Sequence, residues 1–219
     1  MELLRKYSAE GMLIFLCIYL LGAFTGPLLQ KFGHPELGQK VTAIYRVFCH
    51  QRVERSMFIL GQEGFIRFYS LDELEAKGVI PAENPYVPKA LSTSIYGHPY
   101  VGNDQVGYKV ALCIRDLAIY VALVAFGLIY ILKYRISGKD LPYTFKWGLI
   151  LALMLPMMLD GGFQLIAEIF DLSWVPDAYF ASIWKRIITG GLFGVGFGML
   201  IFPNLISSNN MLYNKQEDR

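Results

Sequence analysis

The chain contains four apolar runs of the length that crosses a lipid bilayer, and few folds can accommodate them. A helix needs roughly 20 largely apolar residues to traverse ~30 Å of hydrocarbon. Inside hydrocarbon every backbone N–H and C=O must be satisfied within the segment, which for an isolated run means an α-helix. The runs fall at residues 11–29, 106–132, 145–170 and 187–206. The second is the least regular. Lys109, Arg115 and Asp116 interrupt its first half, and the uncharged part spans only if those charges are held inside protein or at the interface. The first run follows Arg5 and Lys6, as in a secretory signal, but its length suits a retained spanning helix. Only 17% of residues are charged, against about 25% in a soluble domain. The expectation is an all-α integral membrane bundle of four transmembrane helices, one membrane domain over 1–219, rather than a soluble enzyme. A net charge of +2 is too small to imply a nucleic-acid partner. The expected partners are membrane lipids and protein partners in a membrane complex.

Charges in the short links set the expected orientation. Between the second and third runs lie Lys133, Arg135, Lys139 and Lys146 against Asp140, and Arg5 and Lys6 precede the first run. The positive-inside rule then places both termini in the cytoplasm of a multi-pass plasma-membrane protein, with residues 30–105 external. Residues 35–60 are helix-compatible and amphipathic, with Val41, Ile44, Tyr45, Val47 and Phe48 as the apolar stripe, which predicts a surface helix. Residues 61–103 read as an inserted, irregular external lobe. Within it Ser70 and Glu73 form a capping-box pattern for a short helix ending at Gly78. Pro81, Pro85, Pro88 and Pro99 then argue for extended chain.

Counting 1.5 Å per helical residue from the cytoplasmic ends puts Asp116 ~26 Å up the second helix, Asp160 ~21 Å up the third and Arg186 ~26 Å up the fourth. Charges at such depth are costly and mark functional candidates. Lys109, Cys113, Asp116 and Tyr120 would share one helical face, as would Asp160, Gln164 and Glu168. Arg186, Gly190, Gly194 and Gly198 form a small-residue seam that permits close helix approach and turns Arg186 into the bundle. Pairing of Asp160 or Asp116 with Arg186 is expected.

As a set, these residues resemble the predicted membrane proteins of domain-of-unknown-function family 2085. The resemblance rests on Phe48-Cys49-His50-Gln51, Arg55-Ser56, Gly102-Asn103, Gly107-Tyr108-Lys109-Val110, Cys113-Ile114-Arg115-Asp116, Ile119-Tyr120, Leu159-Asp160-Gly161-Gly162, Gln164, and Arg186 with Thr189-Gly190 and Gly194. It runs from about residue 48 to 203. Many members of that family carry a second cysteine where this chain has Asp116. The resemblance implies a shared site and no particular activity.

Thiolate, imidazole and carboxylate are ligands for Zn²⁺ and related ions, so Cys49, His50, Cys113 and Asp116 are candidate ligands for a transition metal such as zinc. A cysteine in relatives at the Asp116 position fits ligand exchange. A Cys49–Cys113 disulfide, or two reduced buried thiols, are the rival readings. Cys17, in an apolar run, is packing material. Two function classes follow. In the first, a metal- or thiol-dependent enzyme or redox protein uses His50 for proton transfer, oriented by Asp160. Arg186 is the third catalytic candidate, Gln51, Arg115 and Gln164 are binding groups, and the arginines hold an anionic or lipid-headgroup substrate. In the second, the chain is a non-catalytic accessory or scaffold subunit, and the Asp160 and arginine charges merely hold helices together. A transporter reading lacks a repeat or a broken mid-membrane helix pair. His34 and His98 read as solvated loop residues.

Overall fold

A computed structural model describes residues 7–47, 49, 53–78, 101–137, 145–170, 172, 174 and 182–217. Its elements in chain order are α1 (Ser8–Lys31), α2 (Pro35–Ile44), β1 (Ser56–Gly61), β2 (Gly64–Arg67), α3 (Leu71–Ala76), β3 (Gly102–Asn103), β4 (Gly107–Cys113), α4 (Ile114–Ser137), α5 (Trp147–Ile169) and α6 (Ile183–Glu217). Short 3-10 turns cover Tyr45–Val47 and Val53–Arg55.

Four helices are long and apolar enough to cross a membrane: Ser8–Lys31, Ile114–Ser137, Trp147–Ala167 and Ile183–Ser207. They alternate in direction, so α1 and α5 end where α4 and α6 begin, and that shared end is called the upper end below. Their flanks are apolar and uncovered, with Ile14, Phe15 and Ile18 on α1, Val121 and Ile129 on α4, and Leu151 and Leu155 on α5 all exposed. The surface therefore matches hydrocarbon, and lipid contacts these helices. Trp147 lies at the lower end and Trp174 and Trp184 at the upper end, all exposed, as expected of interfacial belts.

Without a hydrophobic drive between helices in lipid, small residues that let backbones approach become the cohesive device. A side chain on Gly194 would collide with the Ile119 carbonyl, and a Cβ on Gly190 would lie 2.7 Å from the Arg115 carbonyl oxygen. On the opposite face of α6, a Cβ on Gly196 would sit 2.9 Å from Met154 of α5. Thus α6 is clasped between α4 and α5. At the lower end Ala9, Leu16, Leu123, Tyr130, Ile131, Phe202 and Ile206 form a core that joins α1, α4 and α6.

Two expectations are corrected. Residues 35–60 do not form one surface helix: α2 stops at Ile44, a 3-10 turn follows, and residues 56–61 are strand β1. The start of the second apolar run, 107–113, is strand β4 rather than helix, so Lys109 does not share a helical face with Cys113 and Asp116. The strands make an antiparallel sheet in the order β2-β1-β4-β3. Its hairpins are punctuated by Gly61 and Gly64 and by Gly102 and Gly107. Gly107 is obligatory twice over: its φ is +91°, and a Cβ would lie 2.6 Å from the Ile59 carbonyl oxygen. Asn103 Oδ1 accepts from the N–H groups of Gln105 and Val106, which closes the β3–β4 turn.

The described part of the inserted lobe is ordered rather than irregular. The expected capping box is present, with Glu73 N–H donating to Ser70 Oγ (3.2 Å) and Ser70 N–H donating to Glu73 Oε2 (2.8 Å). Val53, Phe58, Tyr69, Leu74 and Val106 form its small core. The proline-rich stretch with Pro81, Pro85, Pro88 and Pro99 lies outside the described residues. The class is nevertheless helical membrane protein, because the sheet is a cap on the upper end.

Candidate functional site

Cys49 reaches the upper end because α2 folds back along α1. Gly26 and Gly38 remove the side chains at the crossing, where a Cβ on Gly38 would lie 2.7 Å from the Gly26 carbonyl oxygen. Tyr45 then donates its hydroxyl to the Tyr19 carbonyl at 2.8 Å, and Cys49 N–H donates to the Tyr45 carbonyl at 3.0 Å. This anchoring seats Cys49, 5% exposed, in the core between α1, the sheet and α4.

Cys113 ends β4 and Asp116 lies in the first turn of α4, three residues on, so both face the same way. The backbone N–H of Cys113 donates to Cys49 Sγ at 3.2 Å, and Cys113 Sγ donates to Asp116 Oδ2 at 3.2 Å. The ligand-type atoms of Cys49, Cys113 and Asp116 all lie within 4.8 Å of one another. Both cysteines are free thiols. The hydrogen bond with the Cys113 thiol, then burial, then the nearby Asp116 charge hold the Cys49 thiol well above its usual range.

Arg115, between Cys113 and Asp116 in sequence, turns the other way and pairs with Asp160 of α5. Lys185 Nζ of α6 meets the other oxygen of Asp160 at 2.9 Å. Gln164, one turn above Asp160, donates to its carboxylate at 3.2 Å and accepts from Arg186 Nη2 at 2.7 Å. Among the described residues, then, Asp160 is paired with Arg115 and Lys185, and Arg186 connects to it through Gln164. The expected direct Asp160–Arg186 contact is replaced by this relay. Arg186 is 2% exposed and Gln164 3%.

Of the sequence-predicted site residues, Cys49, Cys113 and Asp116 come together on one side of the first turn of α4. Arg115, Asp160, Gln164 and Arg186 come together on the other. His50 and Gln51 lie outside the described residues. Lys185 was not anticipated as a site residue. Nothing in its spacing signals a bond to Asp160.

Residues 105–200 match the model of a family described as "Predicted membrane protein (DUF2085)", the family that the motif set resembles. The matched segment carries Cys113, Arg115, Asp116, Asp160, Gln164, Lys185 and Arg186, and it stops short of Cys49. No curated protein and no solved structure matches the chain.

Proposed function

We propose that this multi-pass membrane protein carries a transition-metal site, zinc being the best-fitting ion, formed by Cys49, Cys113 and Asp116, and that metal- or thiol-dependent chemistry occurs there. The observation that carries the reading is the convergence of two thiols and a carboxylate, from two distant segments, within 4.8 Å. Tetrahedral Zn²⁺ bonds of ~2.3 Å to sulfur and ~2.1 Å to oxygen set ligand atoms roughly 3.6–3.8 Å apart. The cluster needs a contraction of about 1 Å at most to reach that spacing. A metal deprotonates coordinating thiols outright. The Cys113 N–H already aimed at Cys49 Sγ would stabilise the resulting thiolate. Three protein ligands with a fourth position open is the pattern of a catalytic zinc site. His50, next in sequence to Cys49, is the candidate for that position or for proton transfer beside it. Asp160 and Arg186 would orient reacting groups, and Gln51, Arg115 and Gln164 would bind them.

The Lys/Arg balance of the links supports an orientation in the plasma membrane with both termini cytoplasmic. The upper end, with the site and the sheet, then faces outward.

The test is elemental analysis of the full chain purified in detergent and reconstituted with Zn²⁺. About one zinc per chain is expected for the parent. Cys49→Ser and Cys113→Ser should each lower affinity by at least tenfold, at unchanged helical content. Binding should also weaken as pH falls, because protons compete for the thiolates. A parent chain that binds no zinc, or binds it equally well after both substitutions, sinks the proposal.

A second reading, an accessory subunit of a membrane complex, draws on edge strand β2. Phe65 and Ile66 are 69% and 51% exposed there, on a sheet edge beyond the spanning helices. Exposed apolar edge residues suit strand addition by a partner protein. A stable co-purifying protein that is lost on Phe65→Lys would favour that reading.

A further inference from the structure

The two sulfurs of the cluster differ in setting. Cys49 is 5% exposed and belongs to the core cluster that holds Ala23, Met57 and Leu117. Cys113 is half-buried, and it is the last residue of β4, just before α4 begins. It therefore stands at the upper end, outside the spanning segment Ile114–Ser137, where a water-soluble reagent has access to it.

Their contacts differ as well. The Cys113 S–H donates to Asp116 Oδ2 at 3.2 Å, which gives its proton an acceptor. Cys49 Sγ instead accepts the backbone N–H of Cys113 at 3.2 Å, a bond that favours negative charge on that sulfur. The same bond seats the Cys49 sulfur against the backbone of the residue whose sulfur it would join. The two sulfurs lie within 4.8 Å of each other, and a disulfide needs ~2.05 Å. One staggered step about the Cα–Cβ bond moves a cysteine sulfur by ~3 Å, which is the scale of that gap. The sheet fixes one side of the pair: Cys113 is in register with Ser56 of β1, which is itself buried.

We infer that Cys49 and Cys113 form a thiol–disulfide exchange pair acting on a low-molecular-weight disulfide, with Cys113 as the attacking sulfur and Cys49 as the resolving sulfur. The inference rests on the thiol-dependent branch of the proposal above and not on a bound metal. Cys113 passes its proton to Asp116, and the thiolate attacks one sulfur of the substrate. The substrate S–S bond breaks, a mixed disulfide forms on Cys113, and the leaving thiolate takes the proton from Asp116. Cys49 then gives up its proton and attacks Cys113 Sγ. That attack expels the second substrate thiolate, which takes the proton from Cys49. One substrate disulfide is thereby reduced to two thiols, and the Cys49–Cys113 dithiol is oxidised to a disulfide. The order of events follows from access: an external disulfide meets the half-buried sulfur, and the buried one is left to resolve the intermediate. A half-buried sulfur admits a small disulfide more readily than one held in a folded protein. Oxidation removes both thiolate ligands from the proposed metal site, so bound zinc and the disulfide are alternative states of one cluster.

The test uses the full chain in detergent, reduced, stripped of metal with EDTA and exposed to oxidised glutathione. Peptide mass mapping should find a Cys49–Cys113 disulfide that reduced glutathione reverses. Cys49→Ser should trap glutathione on Cys113. Cys113→Ser should acquire glutathione on Cys49 about tenfold or more slowly, because that sulfur is buried. If either substitution disturbs folding, acid quenching of the parent chain during oxidation reads the same asymmetry: the mixed disulfide should lie on Cys113. Failure of the parent to form the Cys49–Cys113 disulfide at any glutathione ratio, or a mixed disulfide that forms first on Cys49, overturns the inference. Zinc binding is measured separately. A chain that binds zinc and forms no such disulfide defeats this inference alone, and one that forms the disulfide without binding zinc defeats only the metal proposal.

Discussion

Replacing Asp160 by Asn removes a carboxylate that Arg115 and Lys185 share, and the structure sets the scale of the loss. The side chains of Asp160 and Arg115 are 9% and 10% exposed, so this is a buried pair on two spanning helices. Breaking such a pair by deleting one partner costs about 3–5 kcal/mol, because the surviving charge is left in low dielectric. Lys185, with 26% of its side chain exposed, can swing toward water and adds little to that cost. At roughly 2–4 °C per kcal/mol for a chain of this size, the thermal midpoint should fall by about 6–20 °C. The assay is intrinsic-fluorescence unfolding in detergent, in chloride buffer without phosphate. Arg115→Met alone should be similarly damaging. The double variant Asp160→Leu with Arg115→Met should recover much of the loss, since no unpaired member of the pair remains. Single variants within about 2 °C of the parent would mean that the charges are hydrated. A double variant no better than the singles would mean that the pair is not coupled. Either result refutes the reasoning.

Three further outcomes follow from the same structure. Gly194→Ala should cost about 1–3 kcal/mol through collision with α4, whereas Gly191→Ala, which meets nothing within 4 Å, should be neutral or gain up to about 1 kcal/mol of helix propensity; thermal midpoints of the two variants decide it. A cysteine placed at Gln62 in a Cys17/Cys49/Cys113→Ser background should react with an impermeant maleimide from outside intact cells, and one at Lys146 should not; the reverse pattern would invert the proposed topology. The hydrogen bond from Lys77 holds Glu63 below its ordinary carboxylate range, and that from Lys31 does the same for Asp104. Their contribution to the lobe is thus present above the ordinary range and lost as pH falls through the lowered values. Amide protection of 58–67 should decline as pH falls below the ordinary carboxylate range, with a flatter profile in Glu63→Gln.

The spanning helices were legible because lipid imposes a length and an apolarity that nothing else in a chain imitates. The depth arithmetic also survived contact with the structure. A rise of 1.5 Å per residue is nearly invariant, so Asp116, Asp160 and Arg186 could be placed at one end before any fold was known. The sheet was not legible in the same way. Strand β4 is buried along most of its length, with Val110, Ala111 and Leu112 all at 1% exposure or less. Such a strand loses its period-two alternation and reads as the beginning of the apolar helix that follows it. The signal that could have found it is punctuation: Gly61-Gln62-Glu63-Gly64 and Gly102-Asn103 with Gly107 are hairpin turns. Partner choice at Asp160 failed for a related reason. Depth places a residue along a helix, but pairing depends on rotation about the axis, and Arg115 is turned about 100° from Asp116. The helical stripe drawn through Lys109 had fixed that rotation from a segment that is strand.

That rotation also puts two side-chain clusters on one helical turn. Asp116 faces Cys113 and Cys49, and Arg115 faces Asp160, so the Cys49, Cys113 and Asp116 cluster and the Arg115–Asp160 pair stand back to back on consecutive residues. Two thiolates and a carboxylate on a dication would carry net negative charge, and the neighbouring arginines would stabilise it across low dielectric. If the two clusters act on each other through charge, Arg186→Gln must weaken zinc binding while it leaves Cys49, Cys113 and Asp116 in place, and the zinc affinities of the two chains at equal ionic strength check it.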